Sequence, residues 1–259
     1  MKNTTREIML SWAISAIALT STGAAFAHND THAHYNASSQ WVSLADGTHA
    51  IGSSHGEIDV AKDGTFYLSV MGNENNTGGI KKYSPSGELI GSVANAPKDL
   101  HSMVIVSDTE GQEHIFAAGV RSHHIIKMTL DGEILIKIDG LKAIPSKYHQ
   151  DKINKKNNKP FPKLKLSGMA VDSQGNWYVA DGYGLDYIHK FDPTGKYLTT
   201  FGGREAPYGF KNCHKIHIDP RFSPNRLMCT DRKNGRIVHM TLDGDVIGDY
   251  ATHLRRPSA

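Results

Sequence analysis

The chain has 259 residues and a formal net charge of +3 at pH 7, with 39% hydrophobic and 21% charged residues. A net charge this small gives no reason to expect a nucleic-acid partner. No segment approaches the run of about 18 apolar residues that a membrane span requires, so we expect no membrane span in the mature protein.

The first 27 residues have the pattern of a secretory signal. Lys2 and Arg6 lie near the start, residues 9–19 form an apolar run, and small residues end at Ala27. This order of charged, apolar and small residues is typical of a cleaved signal peptide. We therefore predict an exported protein, periplasmic or extracellular, in which residues 28–50 form an N-terminal tail and a lead-in strand.

One pattern then recurs four times: an alternating strand, a turn with glycine and a second alternating strand. The copies begin at Ile80, Ile125, Ile188 and Ile237. Another strand pair precedes each copy, so each unit holds four short strands joined by tight turns. Tandem units of this kind are typical of propeller blades.

The spacing of the repeats also fits a propeller. The turn glycines are Gly87, Gly132, Gly195 and Gly244, separated by 45, 63 and 49 residues. Without the Lys- and Asn-rich stretch in the middle interval, the spacing falls near the 40 to 50 residues expected of a blade. We predict an all-β propeller with blades at residues 51–97, 98–140, 166–203 and 210–250, and a basic insertion at 141–165.

The insertion lacks the period of two that a blade strand needs. No residue between Lys147 and Lys159 should therefore belong to a blade. We favour a solvated loop, and the alternative is a docking patch for an acidic partner. Because propellers close with four to eight blades, the four visible blades fit either a complete ring or, as we favour, part of a six-bladed ring.

Two histidines occupy the same slot near the start of the innermost strand of their blades. The residues in this slot are Gly56, His101, Ser167 and His214. Side chains at this slot point into the central channel. Three imidazoles with an open fourth position make a catalytic zinc site, so a third histidine in a sixth blade would complete one. The alternative is that His101 and His214 line the channel and bind water.

Five segments of the sequence resemble segments of a known protein family. They cover residues 166–172, 179–183, 191–196, 210–214 and 230–237. Together they resemble the NHL-repeat propeller of peptidyl-α-hydroxyglycine α-amidating lyase. The resemblance extends over roughly residues 55–250, and its most specific parts are an Asp-Gly-Tyr motif ending at Tyr183 and an Asp-Arg-x-Asn-Gly-Arg motif containing Arg232.

The resemblance implies a zinc site and two catalytic groups. His101 and His214 occupy two of the three zinc-ligand positions, Tyr183 matches the catalytic tyrosine, and Arg232 matches a substrate-binding arginine. The implied reaction cleaves a C-terminal α-hydroxyglycine to a peptide amide and glyoxylate. A guanidinium beside a phenol lowers its pKa and can hold a substrate carboxylate.

The resemblance also implies a structural calcium in the channel, bound partly by the backbone carbonyls of Ile58 and Met103.

Several family positions are not matched. The third histidine and the acidic calcium ligand would fall in a blade beyond Ala259, and the second substrate arginine falls at Met71. Arg121, in the slot that matches Tyr183 one blade earlier, could replace this second arginine.

We therefore expect an exported NHL-type propeller with a lyase-like metal site that acts on a small peptide-like substrate. The alternative is a non-catalytic propeller that binds a peptide, glycan or protein partner at the channel mouth, because fold alone does not decide function. A sugar lactonase is a third reading, but such enzymes use acidic and Asn ligands, and no such set lies in register.

The two cysteines, Cys213 and Cys229, are compatible with an exported protein. In the expected hairpin, Cys229 lies opposite Ile216, which is three residues from Cys213. That offset corresponds to about 10 Å and exceeds disulfide reach. We therefore do not expect a disulfide between them.

Overall fold

The computed structural model describes residues 57–72, 78–149, 152–154 and 159–258. The predicted signal peptide, the tail at 28–50 and Gly56 lie outside the described residues. The described residues form four antiparallel four-stranded sheets, in each of which every strand pairs with the next strand of the chain. The prediction of an all-β propeller with four visible blades is confirmed.

The strands of each blade follow one another directly in the chain. Blade 1 comprises β1 (Ile58–Val60), β2 (Phe66–Val70), β3 (Gly79–Tyr83) and β4 (Leu89–Ser92). Blade 2 comprises β5 (Leu100–Ser107), β6 (Glu113–Gly119), β7 (His124–Thr129) and β8 (Ile134–Asp139). Blade 3 comprises β11 (Gly168–Val171), β12 (Trp177–Ala180), β13 (Tyr187–Phe191) and β14 (Tyr197–Gly202). Blade 4 comprises β15 (Cys213–Asp219), β16 (Arg226–Asp231), β17 (Arg236–Met240) and β18 (Val246–Ala251).

Consecutive blades pack face to face through apolar side chains. One cluster joins blades 1 and 2, a second joins blades 2 and 3, and a third joins blades 3 and 4. Between blades 2 and 3, the Phe116 and Trp177 rings meet edge to face with centroids 5.1 Å apart. Edge-to-face pairs add stability beyond the area they bury. The alternation in the sequence therefore places apolar side chains in the joints between blades.

The outer-hairpin glycine of a blade lies close to the blade before it. A Cβ added at Gly132 would lie 2.0 Å from the carbonyl oxygen of Ala94, and one at Gly244 would lie 2.5 Å from the ring of Phe201. Both glycines have positive φ, 99° and 98°. The recurring glycine therefore serves both the turn and the contact between blades.

The insertion contains structure that the sequence analysis did not anticipate. It begins with a short helix α1 (Gly140–Ala143) and a 3₁₀ turn (Ser146–Tyr148), and β9 (Lys152–Asn154) pairs with β10 (Lys159–Phe161) in a separate two-stranded sheet. Ile153 pairs with Pro160 and belongs to no blade. Ile144 and Leu164 are buried between blades 2 and 3. The ends of the insertion are thus part of the core and not a solvated loop.

Cys213 and Cys229 form a disulfide with a Cα–Cα distance of 5.7 Å, so the expectation of unpaired cysteines was wrong. The predicted pairing of Cys229 with Ile216 is present. A β-bulge between Cys213 and Lys215, however, places Cys213 opposite Asp231, which is two residues from Cys229. Bulges also increase the local twist, and this brings the two cysteines within reach.

The helical segments of the described residues are four and three residues long. None of them is long or apolar enough to cross a bilayer.

Candidate functional site

His101 and His214 lie near the start of β5 and β15, the first strands of blades 2 and 4. Both are buried, with 1% and 4% of their surface exposed. Each stands at a register shift, between Leu100 and Ser102 in β5 and between Cys213 and Lys215 in β15. A β-bulge re-aims a side chain out of the regular alternation. The two rings meet edge to face with centroids 5.1 Å apart.

The two imidazoles are held in the same way. Nδ1 of His101 lies 2.9 Å from the carbonyl oxygen of Ser167, and Nδ1 of His214 lies 3.0 Å from that of Ser258. A carbonyl oxygen only accepts hydrogen bonds, so each Nδ1 is the donor, and in the neutral imidazole each Nε2 then carries the lone pair. Metal-binding histidines are oriented by such backbone contacts.

Tyr183 completes a cluster of three rings. Its hydroxyl oxygen lies 2.7 Å from Nε2 of His214, and because that nitrogen carries the lone pair, the phenol donates. Its ring centroid lies 5.1 Å from that of His101 and 5.2 Å from that of His214. The structure therefore brings His101, His214 and Tyr183 together, and the fourth predicted side chain, that of Arg232, interacts with the Tyr183 phenol.

The Asp-Gly-Tyr motif fixes the loop that carries Tyr183. The buried Asp181 carboxylate accepts the backbone N–H groups of Lys165 and Leu185. Burial raises the pKa of Asp181 to about 8, whereas these two hydrogen bonds act in the opposite direction. A Cβ on Gly182 would lie 2.1 Å from the carbonyl oxygen of Cys213. The glycine therefore lets the loop approach β15, where His214 lies.

Asn212 links this loop to Arg232. Its side-chain amide donates to the Gly182 carbonyl at 2.5 Å, and its own carbonyl accepts the Arg232 backbone N–H at 2.9 Å. Ser167 adds a second tie, because its hydroxyl oxygen accepts the Gly182 N–H at 3.0 Å. Tyr183 and Arg232, which lie in loops of adjacent blades, are therefore held relative to one another.

Two guanidinium groups act on the Tyr183 phenol. Burial raises the pKa of Tyr183, while the charge and a hydrogen bond of Arg232 and the charge of Arg256 act to lower it. Within the described residues, Nε of Arg232 is buried without a hydrogen-bond partner. Arg256 was not among the residues selected from the sequence.

A cavity of about 530 Å³ lies beside these groups and is strongly basic. Its charged lining residues are Arg232, Lys233, Arg236, Asp249, Arg255 and Arg256. Arg236 is paired with Asp231 and Asp249, so the remaining four cations exceed the acidic groups of this cavity. Such a surplus of guanidinium groups favours an anionic ligand.

The predicted calcium position borders a second cavity of about 590 Å³, lined by Ile58 and Met103. Lys215 also lines it and forms an ion pair with Glu57. Burial lowers the pKa of Lys215 to about 7. The Asp59 carboxylate is engaged by the backbone N–H of Ile105. The donors present do not fit a calcium ion well, since an ammonium occupies the same cavity, and calcium stays an untested prediction.

The donor set for zinc is partial in the part of the chain that the structure describes. There, no group of three or more His, Cys, Asp or Glu side chains could hold a metal ion. His101 and His214, with the phenol of Tyr183 beside them, are the donors at this point.

The second substrate arginine of the resembled family falls at Met71, which is half-buried and follows β2. The exposed Arg121 donates its backbone N–H to Asp99. The replacement role of Arg121 stays a prediction.

Residues 1–202 match the family described as the SMP-30/Gluconolactonase/LRE-like region. The chain belongs to this family. The family name includes gluconolactonase, the class of propeller hydrolase that the sequence analysis set aside. The NHL subtype and the amidating lyase are finer assignments than this match supports.

Solved structures of other proteins are similar to this chain. A structure of streptogramin B lyase has a TM-score of 0.51 at 16% identity, covering 78% of this chain and 55% of that one. A virginiamycin B lyase from Staphylococcus aureus has a TM-score of 0.47 at 14% identity, with coverages of 79% and 72%. A protein from Lactobacillus plantarum has a TM-score of 0.48 at 13% identity, with coverages of 74% and 54%. The chain spans about 55% of the length of the first of these.

Proposed function

We propose that this propeller of the SMP-30/Gluconolactonase/LRE-like family is an exported, metal-dependent lyase whose site lies at the channel end that carries Tyr183. His101 and His214 would hold a zinc ion, with Tyr183 and Arg232 acting on the substrate. The observation that supports this most is the shared arrangement of the two imidazoles. Each donates from Nδ1 to a backbone carbonyl and keeps the Nε2 lone pair for the cluster.

The donor chemistry fits zinc. Neutral imidazoles are common zinc ligands, and catalytic sites keep one position open for substrate. A bound zinc ion would supply Lewis-acid activation of a substrate oxygen. Zinc sites use three or four protein ligands, so two imidazoles predict weak binding by this chain and tighter binding by a longer protein that adds a third.

The basic cavity favours a substrate with a carboxylate. Arg232 and Arg256 both influence Tyr183, so a carboxylate bound between the guanidinium groups lies close to the phenol. A peptidyl-α-hydroxyglycine carries such a carboxylate beside its hydroxyl group. In its cleavage the C–N bond breaks, the hydroxyl carbon becomes the aldehyde of glyoxylate, and one proton moves from the hydroxyl group to the amide nitrogen. In this proposal Tyr183 carries that proton.

Export is supported by the N-terminal charge and apolar pattern and by the Cys213–Cys229 disulfide. Disulfides persist in oxidising compartments and are rare in the cytosol. A periplasmic or extracellular location is therefore part of the proposal. Cell fractionation of the tagged full chain, followed by mass determination of its N-terminus, would test it.

The experiment for the site combines metal content and product formation. The purified full chain is supplied with zinc and N-benzoyl-α-hydroxyglycine, and benzamide and glyoxylate are measured. We expect His101→Ala and His214→Ala each to lose both zinc and product. The matched control is His217→Ala, an exposed histidine of the same strand as His214. No product with zinc in excess, or equal product in all variants, would overturn the enzyme proposal.

A second candidate is supported by the basic cavity itself. With Lys233 and Arg255 exposed at its rim, the cavity suits an acidic peptide bound without turnover. This candidate predicts saturable binding of an acidic peptide that Arg232→Met weakens and that His101→Ala leaves unchanged. The lyase proposal predicts that both variants abolish product formation.

A further inference from the structure

Neighbouring blades are joined by a recurring lysine. Lys82, Lys127 and Lys190 occupy the same position in the third strands of blades 1, 2 and 3. Each stands opposite an aromatic residue of the second strand, and these are Tyr67, Phe116 and Tyr178 respectively. The ammonium groups of Lys127 and Lys190 lie 5.6 and 5.3 Å from the centroids of the Phe116 and Tyr178 rings.

Two of the three lysines form an ion pair with the next blade. Lys82 lies 3.2 Å from Asp131, and Lys190 lies 2.9 Å from Asp243. Each aspartate directly precedes the outer-hairpin glycine of its blade. Blade 3 has Thr194 at this position, so the joint between blades 2 and 3 lacks the carboxylate. Among the described residues, no carboxylate lies within ion-pair distance of Lys127.

A cleft of about 550 Å³ opens at the joint where the ion pair is missing. Lys127 and His114 line it with Phe116, Pro193 and Gln174, and the carboxylates of Asp108 and Asp172 line it as well. His114 is 4% exposed, and its Nδ1 has no hydrogen-bond partner among the described residues. Unsatisfied buried polar atoms are costly, so a donor or acceptor brought by a ligand would be favourable here.

Neither acid of the cleft forms an ion pair with Lys127. The Asp172 carboxylate accepts hydrogen bonds from the backbone N–H groups of Gln174 and Asn176 and from the Tyr178 hydroxyl group. Asp108 lies 3.7 Å from His114 Nδ1, beyond hydrogen-bond distance, and its other carboxylate oxygen accepts the N–H groups of Glu110 and Gln112. Burial and the charge of Lys127 lower the pKa of His114. The positive charge of Lys127 therefore acts within the cleft.

We propose that the cleft between blades 2 and 3 binds a small organic carboxylate. Its charge pairs with Lys127 in place of the missing aspartate, and one carboxylate oxygen accepts a hydrogen bond from His114. Its apolar part lies against Phe116 and Pro193. The site is separate from the lyase cluster, because the cleft lies at the Ser107 end of β5 and His101 lies at its beginning, about 20 Å away at strand rise.

The test is a titration of the ¹⁵N-labelled full chain with benzoate, followed by amide chemical shifts. Benzamide, which has the same ring without the charge, is the comparison ligand. We expect saturable shifts around Gln174 and Lys127 with a dissociation constant of about 1 mM, the affinity of a ligand of this size. Benzamide should bind at least about tenfold more weakly if the charge of Lys127 matters.

Variants at the exposed Thr194 decide the assignment. Thr194→Asp restores the carboxylate of the other joints, so we expect it to pair with Lys127 and weaken benzoate binding about tenfold or more. Thr194→Asn introduces a side chain of the same shape as Asp without the charge. Its dissociation constant for benzoate should stay within about twofold of that of the unmodified chain. Lys127→Met, which keeps an apolar stem over Phe116, should also lose binding. No saturation below about 20 mM, or equal binding in the Asp and Asn variants, overturns the proposal.

Discussion

The hydroxyl group of Tyr183 donates a hydrogen bond to Nε2 of His214 over 2.7 Å. The direction of this bond follows from the other ring nitrogen, which donates to the Ser258 carbonyl. The phenol and the imidazole belong to adjacent blades, so the bond connects the loop of blade 3 to the inner strand of blade 4. The bond therefore fixes the position of the phenol relative to the His214 imidazole.

Tyr183→Phe tests the proton-carrying role of the phenol. The variant keeps the ring contact with His101 and loses only the hydroxyl group, so we expect zinc content and thermal stability to stay near those of the unmodified chain. Glyoxylate release should fall about 100-fold or more, the usual size of a lost proton-transfer group. Tyr187→Phe is the matched control, because Tyr187 contacts Tyr148 and lies outside the cluster. Undiminished release by Tyr183→Phe would remove the phenol from the mechanism.

Stability should depend on pH through His189. Burial lowers the pKa of His189 to about 3, with the nearby His149 acting in the same direction. The unfolded chain protonates this histidine near pH 6.5 and the folded chain does not. Its contribution is therefore fully present above about pH 6.5 and is lost as the pH falls from there towards 3, at up to about 1.4 kcal/mol per pH unit.

The variant that isolates this effect is His189→Leu. Thr200 keeps a partner in Tyr197, so the change leaves no new unpaired hydroxyl group. Urea unfolding between pH 7 and pH 4 should show a shallower loss of stability for His189→Leu than for the unmodified chain. His217→Ala, at an exposed histidine, should follow the unmodified chain. Parallel curves for all three proteins would contradict the burial argument.

The sequence predicted the repeats and the histidine slots because both depend on local rules. A period of two and a turn glycine define each hairpin, and alignment of the hairpins places His101 and His214 at one level of the channel. The Asp-Gly-Tyr motif could likewise be interpreted locally, since Asp181 and Gly182 act on their own loop.

The features that the sequence did not predict depend on irregular or distant geometry. The disulfide forms because a bulge in β15 changes the offset of Cys213, and a regular hairpin gives no sign of that bulge. The charge of Arg256 acts on Tyr183 because the chain after β18 returns to the inner strand of blade 4, where Ser258 contacts His214, and no period or spacing encodes this return. Ile144 and Leu164 are buried because the basic insertion is anchored at both ends.

The contact of the turn glycine with the preceding blade predicts a large effect of a single methyl group. Gly132→Ala would place Cβ 2.0 Å from the Ala94 carbonyl oxygen, in a turn with positive φ. We expect a loss of about 2 to 4 kcal/mol in the free energy of unfolding, since strain and overpacking add. Gly209→Ala separates the two causes, because its φ is +59° with no atom within 4 Å of the added Cβ. It should cost about 1 kcal/mol. Equal losses in urea unfolding would show that the contact between blades contributes nothing.

The disulfide predicts a further change in stability that a reductant can reveal. Cys213 and Cys229 are 16 residues apart, and closing a loop of this size stabilises a protein by about 3 kcal/mol. The double variant Cys213→Ala and Cys229→Ala should therefore unfold at a lower temperature than the oxidised chain. Both sulfurs are buried in the joint between blades 3 and 4, so the loss of their packing adds to the effect.

Differential scanning calorimetry with and without dithiothreitol supplies the control. The reductant should lower the unfolding temperature of the unmodified chain and leave that of the variant unchanged. If the unmodified chain has the same transition in both conditions and reacts with a thiol reagent when unfolded without reductant, the two cysteines are not bonded in solution.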